Sequence, residues 1–264
     1  MPVLEDMLSQ LEIRAVNALY GHEETISRSL KRLKEGMLNI GQLVDPLIVD
    51  GKTGVVLDGN HRLKVLEIIE CPYAVCQVVN YSSPEIRVGT WHPSLKISKD
   101  ELLQLDSIKC EKVDRETGLK AVNELRSPAM AIIPDGECYL INPGNYKIKE
   151  MIEEQRYLLG LIENRQPQYI PDEEIERHRV LGETVFYRRA YTKGEIIAMA
   201  TAHSPLPPKS TRHLIPGRII RLNMRLGWLH LDKESAWKEL VGMLKKRAYN
   251  GNVRKYYEPV IVIY

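Results

Sequence analysis

Val55-Val56-Leu57-Asp58-Gly59-Asn60-His61-Arg62-Leu63-Lys64-Val65-Leu66 changes character halfway along. Apolar residues run into an acid, and a glycine turns the chain. From Asn60 onward, Leu63, Leu66 and Ile69 fall at helical spacing. The pattern predicts a strand ending at Asp58-Gly59 and a helix over 60–70, stopped by Cys71-Pro72. The first N–H groups of a helix have no acceptor within it, and the helix dipole adds positive potential there, so such a turn attracts anions. His61 and Arg62 bring further donors to the same point, and a planar guanidinium can grip two phosphate oxygens. Gly59 lets the backbone approach a ligand closely. Two readings stand on these residues alone: a phosphate site, or a plain strand–turn–helix with Asp58 as helix cap and Arg62 in solvent.

Working outward, Pro46-Leu47-Ile48-Val49-Asp50 and the strand from Val55 are split by Gly51-Lys52-Thr53-Gly54, which predicts a hairpin. Ile26, Leu30, Leu33 and Met37 share one helical face, so 24–37 is expected to be an amphipathic helix. Tyr73–Val79 reads as a strand. Further on, Ser98-x-x-Glu101 has the spacing of a capping box, and Pro134-Asp135-Gly136 divides two strand-like runs. Helices are expected over 147–160, from Thr192-x-x-Glu195 to about Ala202, and over 233–248 with Trp237, Leu240, Val241 and Leu244 inward. The proline-rich stretch 203–217 reads as a loop. Ile220, Leu222, Met224 and Leu226 alternate with Arg221, Asn223 and Arg225, as in a half-buried strand, and Val260–Tyr264 reads as a buried one. The expected fold is α+β in two domains, 1–90 and 91–264.

Length and composition suit that division. The chain has 264 residues, 44% of them hydrophobic and 27% charged, which excludes a disordered chain and provides a core. With 37 basic and 35 acidic side chains the net charge is +2, a poor balance for a dedicated nucleic-acid binder. No apolar run approaches the roughly 20 residues of a bilayer span. The N-terminus lacks the pattern of a signal peptide, so the expected location is cytoplasmic, with no membrane partner. Cys71, Cys76, Cys110 and Cys138 have neither C-x-x-C spacing nor an accompanying histidine cluster, and read as reduced thiols.

Three more segments carry groups suited to chemistry. His203-Ser204-Pro205-Leu206-Pro207-Pro208-Lys209-Ser210-Thr211-Arg212-His213 gathers cations, hydroxyls and imidazoles on a stiffened loop, a composition suited to phosphate oxygens and equally to a solvated linker. It lacks the spacing of a P-loop. His22-Glu23-Glu24 precedes the 24–37 helix. There an acid serves either as a general base or, more simply, as a complement to the helix dipole. Thr90-Trp91-His92-Pro93 sets an indole beside a proline turn, as a pocket wall or as core.

In chain order, His-Glu before a helix, D-G-x-H-R after a hairpin, T-W-x-P, and S-P-L-P-P-K-S-T-R-H resemble the free L-serine kinases, the last departing from the family's S-P-x-K-[ST]-T-R-H by an extra prolyl stretch before the lysine. The motifs span about residues 20–217. D-G-x-H-R alone is shared with a wider superfamily; the ordered set is more specific. The resemblance implies a ParB/sulfiredoxin-like nucleotide-binding domain, a second α+β domain forming a cleft with it, and loop 203–217 completing the active site. It implies transfer of a phosphoryl group from ATP or ADP to free L-serine, giving O-phospho-L-serine for cysteine biosynthesis.

The same resemblance assigns Glu23 as the base for the serine hydroxyl and Asp58 as a second catalytic acid. His22, Gly59, Asn60, His61 and Arg62 would hold nucleotide phosphates, with Lys209, Ser210, Thr211, Arg212 and His213 closing the site. Trp91 and His213 would contact serine. Mg²⁺ is expected to ride on the phosphates, with Asp58 as at most one carboxylate ligand. Asn60 stands where sulfiredoxins carry their reactive cysteine, which removes a sulfinic-acid reductase reading. The alternatives are a ParB-like nucleotide- or DNA-binding regulator without phosphotransfer, and a kinase of another small hydroxyl compound.

Overall fold

The structure, a computed structural model, describes residues 2–105 and 107–257. The expected strand at Val260–Tyr264 lies outside them. The chain forms two compact units. The first comprises residues up to Ser83, Ala200–His203 and the described chain from Ile215; the second comprises Pro84–Met199 and Ser204–Leu214. The first break falls near the expected residue 90, but the chain from Ile215 on groups with the first unit instead of extending the second. Its apolar side chains explain this: Leu222, Met224, Leu226, Leu229, Leu240 and Leu244 are buried in the first unit's core.

In the first unit, α1 (Pro2–Ser9) leads into β1 (Leu11–Ala15) and the short β2 (Tyr20–Gly21). Then follow α2 (Ser27–Ile40), β3 (Gln42–Leu43), β4 (Leu47–Asp50), β5 (Val55–Asp58), α3 (Asn60–Ile68) and β6 (Tyr73–Val79). Five of the strands form a mixed sheet in the order β1-β6-β4-β5-β2. The predicted hairpin is β4–β5, antiparallel with a register shift at Ile48/Val49. Its turn is fastened by Asp50, whose carboxylate accepts from the N–H and hydroxyl of Thr53 and from the N–H of Tyr81. Parallel pairing of β2 with β5 sets Tyr20 opposite Val55 and Gly21 opposite Val56. That pairing carries the His22-Glu23 segment to the end of β5 from which α3 starts. The helix expected at 24–37 starts at Ser27, with Ile26 as its cap residue and no acid in its first turn. Glu23 and Glu24 therefore lie just before its first turn and not within it.

The second unit is built on β7 (Arg87–Gly89), β8 (His92–Leu95), α4 (Lys99–Leu103), β9 (Cys110–Val113), α5 (Arg115–Asn123), β10 (Ala129–Ile132) and β11 (Cys138–Ile141). It continues through α6 (Ile148–Glu163), β12 (Gln168–Ile170), α7 (Ile175–Val180), β13 (Thr184–Tyr187), α8 (Lys193–Thr201) and β14 (Arg212–Leu214). Six strands run in the order β12-β8-β13-β10-β11-β9. The expected capping box at Ser98/Glu101 forms, and Thr192/Glu195, expected as a helix start, makes the same reciprocal backbone and side-chain bonds. The stretch 203–217 is not wholly a loop, because β14 pairs antiparallel with β7, Arg212 opposite Gly89 and His213 opposite Val88.

Back in the first unit, only β15 (Met224–Arg225) of the strand expected over 219–226 forms, paired with β3. Arg221 and Asn223 adopt φ of +55° and +52°, which ends an extended run. The bends are held by Arg221 N–H to Asp45 and Asn223 N–H to the Val44 carbonyl. Arg247 donates to the carbonyls of Arg221 and Leu222 from α9 (Lys233–Tyr249). The four cysteines are free thiols, and burial pushes those of Cys71 and Cys76 up to about 11 and about 12, far from reactive thiolates. Among the described residues, no helix is long and apolar enough to cross a membrane.

Candidate active site

The sequence-predicted residues fall into two groups, one in each unit. In the first unit, His22, Glu23 and Asp58–Arg62 gather at the start of α3. Gly59 makes the turn with φ +105° and ψ 24°. A Cβ there would lie 2.7 Å from Leu47 Cδ2 and 3.2 Å from the Arg62 guanidinium, so both conformation and space call for glycine. The helix ladder begins with Leu63 N–H donating to the Gly59 carbonyl. The N–H groups of Asn60, His61 and Arg62 thus have no acceptor within the helix, and no acid sits in its first turn. Asp58 is not the cap: Gly59 takes that position, with no side-chain cap bond.

The side chains around this turn are largely engaged with the protein. Asn60 Oδ1 accepts from the His22 N–H at 2.9 Å. His61 Nε2 accepts from the Ile26 N–H at 3.0 Å, which leaves the proton of its neutral ring on Nδ1. Arg62 donates through Nη1 to the carbonyls of Asp45 (2.9 Å) and Pro46 (2.7 Å), and through Nη2 to Asp58 Oδ2 (3.0 Å). Its fork therefore braces the turn from within. The phosphate-attracting feature of the turn is the backbone at the start of α3.

His22 is buried, and its Nδ1 lies against the Val56 carbonyl. A carbonyl only accepts, so Nδ1 carries the proton. The 3.1 Å approach of Asn60 Nδ2 to the same nitrogen is then packing, because a protonated Nδ1 has no lone pair to offer. Nε2 faces Glu23 Oε1 at 3.7 Å. Glu23 is thus a half-buried carboxylate oriented beside an imidazole. Arg218, which sequence reasoning missed, donates to Asp58 Oδ2 at 3.2 Å, so the Asp58 carboxylate is flanked by two guanidinium groups. Only the bare Pro-Gly-Arg turn at 216–218 hinted at it. Among the described residues, no three His, Cys, Asp or Glu side chains could hold a metal ion.

In the second unit, Trp91, Lys209, Ser210, Thr211, Arg212 and His213 are brought together by β7–β14 pairing. The Arg212 guanidinium lies 5.3 Å from the Trp91 ring centre and donates to Glu173 at 2.8 Å. Ser210 is buried and donates its hydroxyl to the Pro207 carbonyl, so it braces the loop. Thr90 Oγ1 donates to the Ser210 carbonyl at 2.9 Å. Lys209 has φ +59°. His92, within the T-W-x-P motif but unassigned from sequence, is fully buried. Its Nδ1 accepts from the Arg188 N–H, Nε2 donates to Asp172 at 3.0 Å, and its ring stacks on Tyr187 at 4.9 Å. Burial holds its pKa below the ordinary histidine value, against the opposing pull of Asp172.

No family model matches the chain. It is 28% identical over 218 residues to an ATP-dependent L-serine kinase of Staphylothermus marinus, covering 76% of this chain and 84% of that protein. It is 22% identical over 218 residues to an ADP-dependent L-serine kinase of Thermococcus kodakarensis, covering 78% and 87%. Among solved structures, a free serine kinase in complex with AMP superposes with a TM-score of 0.70 at 19% identity, over 83% of this chain and 93% of that one. A C-terminally truncated SbnI from Staphylococcus aureus does so at 0.68 and 16% identity, over 92% and 98%. The fold is that of these solved structures, and in sequence the chain is similar to L-serine kinases.

Proposed function

We propose that the protein is a kinase that phosphorylates the hydroxyl of free L-serine with ATP or ADP as donor, releasing O-phospho-L-serine, the form from which cysteine can be made. The observation that carries this reading is the α3 N-terminus. There, three N–H groups without helical acceptors open beside two carboxylates, one next to a buried imidazole and one between two guanidinium groups. Similarity to L-serine kinases over about three quarters of the chain supports the choice of acceptor.

In this reading the phosphates of the nucleotide lie on the first turn of α3, where partial positive charge and close backbone approach by Gly59 favour them. Glu23 takes the proton from the serine Oγ as that oxygen forms its bond to the terminal phosphorus. The bond from phosphorus to the bridging oxygen breaks, and the shortened nucleotide leaves with the electron pair. Buried His22, its Nδ1–H held by the Val56 carbonyl, packs its Nε2 3.7 Å from Glu23 Oε1. Mg²⁺, bound with the nucleotide, would spread the charge of the transferred group, and Asp58 is the carboxylate available to it.

Incubation with Mg²⁺, L-serine and either ATP or ADP, followed by phosphorus NMR, is expected to show O-phosphoserine with one donor clearly preferred. Threonine, homoserine and small polyols form the comparison set. Phosphorylation of one of those in place of serine would move the reading to another hydroxyl kinase, and no phosphotransfer to any of them would overturn it.

A further inference from the structure

Arg188 follows β13 and is among the most buried large side chains of the molecule, 1% exposed. One nitrogen of its guanidinium, Nη2, donates at 2.6 Å to the Trp91 carbonyl and at 2.6 Å to the Lys209 carbonyl. These two residues are 118 positions apart and belong to the two second-unit segments assigned above to serine and to phosphate. The backbone N–H of Arg188 fixes His92, which is anchored in turn on Asp172. Glu173, next in the chain, takes Arg212, and Arg212 lies over Trp91. One buried cation therefore sits at the root of a connected set that orders the turn at Trp91 and the left-handed turn at Lys209.

Keeping a guanidinium in the interior costs several kcal/mol of lost hydration before its bonds are counted. A leucine or methionine would fill similar space without that cost. What those residues cannot do is hold two backbone carbonyls at one fixed point.

Resting on the kinase reading, we infer that Arg188 is a positioning residue for the transfer. Its guanidinium fixes the Trp91 and Lys209 segments relative to each other through their carbonyls, and it touches neither substrate. Thr90 makes a second, weaker tie of the same kind through the Ser210 carbonyl.

The test compares Arg188→Met, Arg188→Lys and Thr90→Val in the full chain. In Arg188→Met, kcat/KM for serine per folded molecule is expected to fall about 10- to 100-fold, the usual scale for a misplaced site. Arg188→Lys, able to donate from one ammonium, should recover part of that loss. Thr90→Val should lose about threefold to tenfold, and it carries the test if Arg188→Met does not fold. Limited trypsin digestion gives a readout independent of activity: cleavage after Lys209 and Arg212 should be faster in both Arg188→Met and Thr90→Val. Kinetic constants at wild-type values in folded variants would overturn the inference, even if thermal stability fell. Wild-type cleavage rates would overturn the ordering of the loop. A wild-type protein that makes no O-phosphoserine would overturn the parent reading and the kinetic role with it, while the trypsin result would still decide whether Arg188 holds the loop.

Discussion

The two groups of candidate residues are built on opposite principles. At the start of α3 the backbone does most of the work: a glycine at φ +105°, a strand end and the first turn of a helix create the anion-attracting surface, and the nearby side chains brace it. Around Trp91 and Lys209 the backbone is irregular, and side chains buried beneath it hold its carbonyls in place. A backbone-built site is compact in sequence and reads as a motif. A side-chain-held site is scattered, and its supporting residues carry no local signature.

The sharpest way to break this contrast is at Glu23, the first group's proposed base. Glu23→Gln keeps shape and removes the base, so turnover is expected to fall about 10²- to 10⁴-fold while nucleotide affinity persists. Steady-state kinetics beside calorimetric titration with nucleotide separates the two effects. Turnover at the wild-type rate would remove Glu23 from the reaction.

Gly59→Ala attacks the backbone itself. The added Cβ meets Leu47 Cδ2 at 2.7 Å, and φ +105° strains any L side chain. A loss of about 1–3 kcal/mol in urea unfolding is expected, with weaker nucleotide binding. Arg62→Met asks whether that arginine is brace or ligand. Its bonds to Asp45, Pro46 and Asp58 predict a stability loss of about 1–2 kcal/mol, discounted for its partial exposure. If nucleotide affinity collapsed while unfolding was unchanged, Arg62 would be a ligand and the contrast between the two groups would weaken.

The same contrast explains what was legible in the sequence. The Asp58-Gly59 turn, the β4–β5 and β10–β11 hairpins, the Ser98/Glu101 capping box and the helix start at Thr192/Glu195 depend on residues within a few positions of each other, and all can be read directly. Alternation over 219–226 misled because burial of Leu222 and Met224 is achieved with left-handed residues between them, fixed by bonds to Asp45 and Val44. Those partners lie about 180 residues away, and spacing cannot reveal them. Arg218 beside Asp58 and Arg188 beneath Trp91 were hidden for the same reason. The grouping of the chain after Ile215 with the first unit was hidden as well, since an amphipathic helix such as α9 states which face it buries and not against what.

The smallest expected effect tests the support of the second group through pH. His92 is held below its ordinary value of 6.5, chiefly by burial, with Arg188 also opposing its charge and Asp172 and Glu173 favouring it. The unfolded chain therefore binds a proton near 6.5 that the folded protein refuses, and stability falls as pH drops below that point. Asp172 is held below its ordinary 3.8, chiefly by its bond from His92, so its contribution is intact above 3.8 and is lost only as pH falls through its lower folded value. Between those two limits His92 acts without Asp172. Lowering the pH from about 7.5 to about 5 should thus lower the melting temperature, and His92→Gln, which cannot take up the proton, should show a smaller fall. Equal falls in the two proteins would mean that His92 is not excluded from protonation by its burial, and that its anchorage between Arg188 and Asp172 is looser than the geometry indicates.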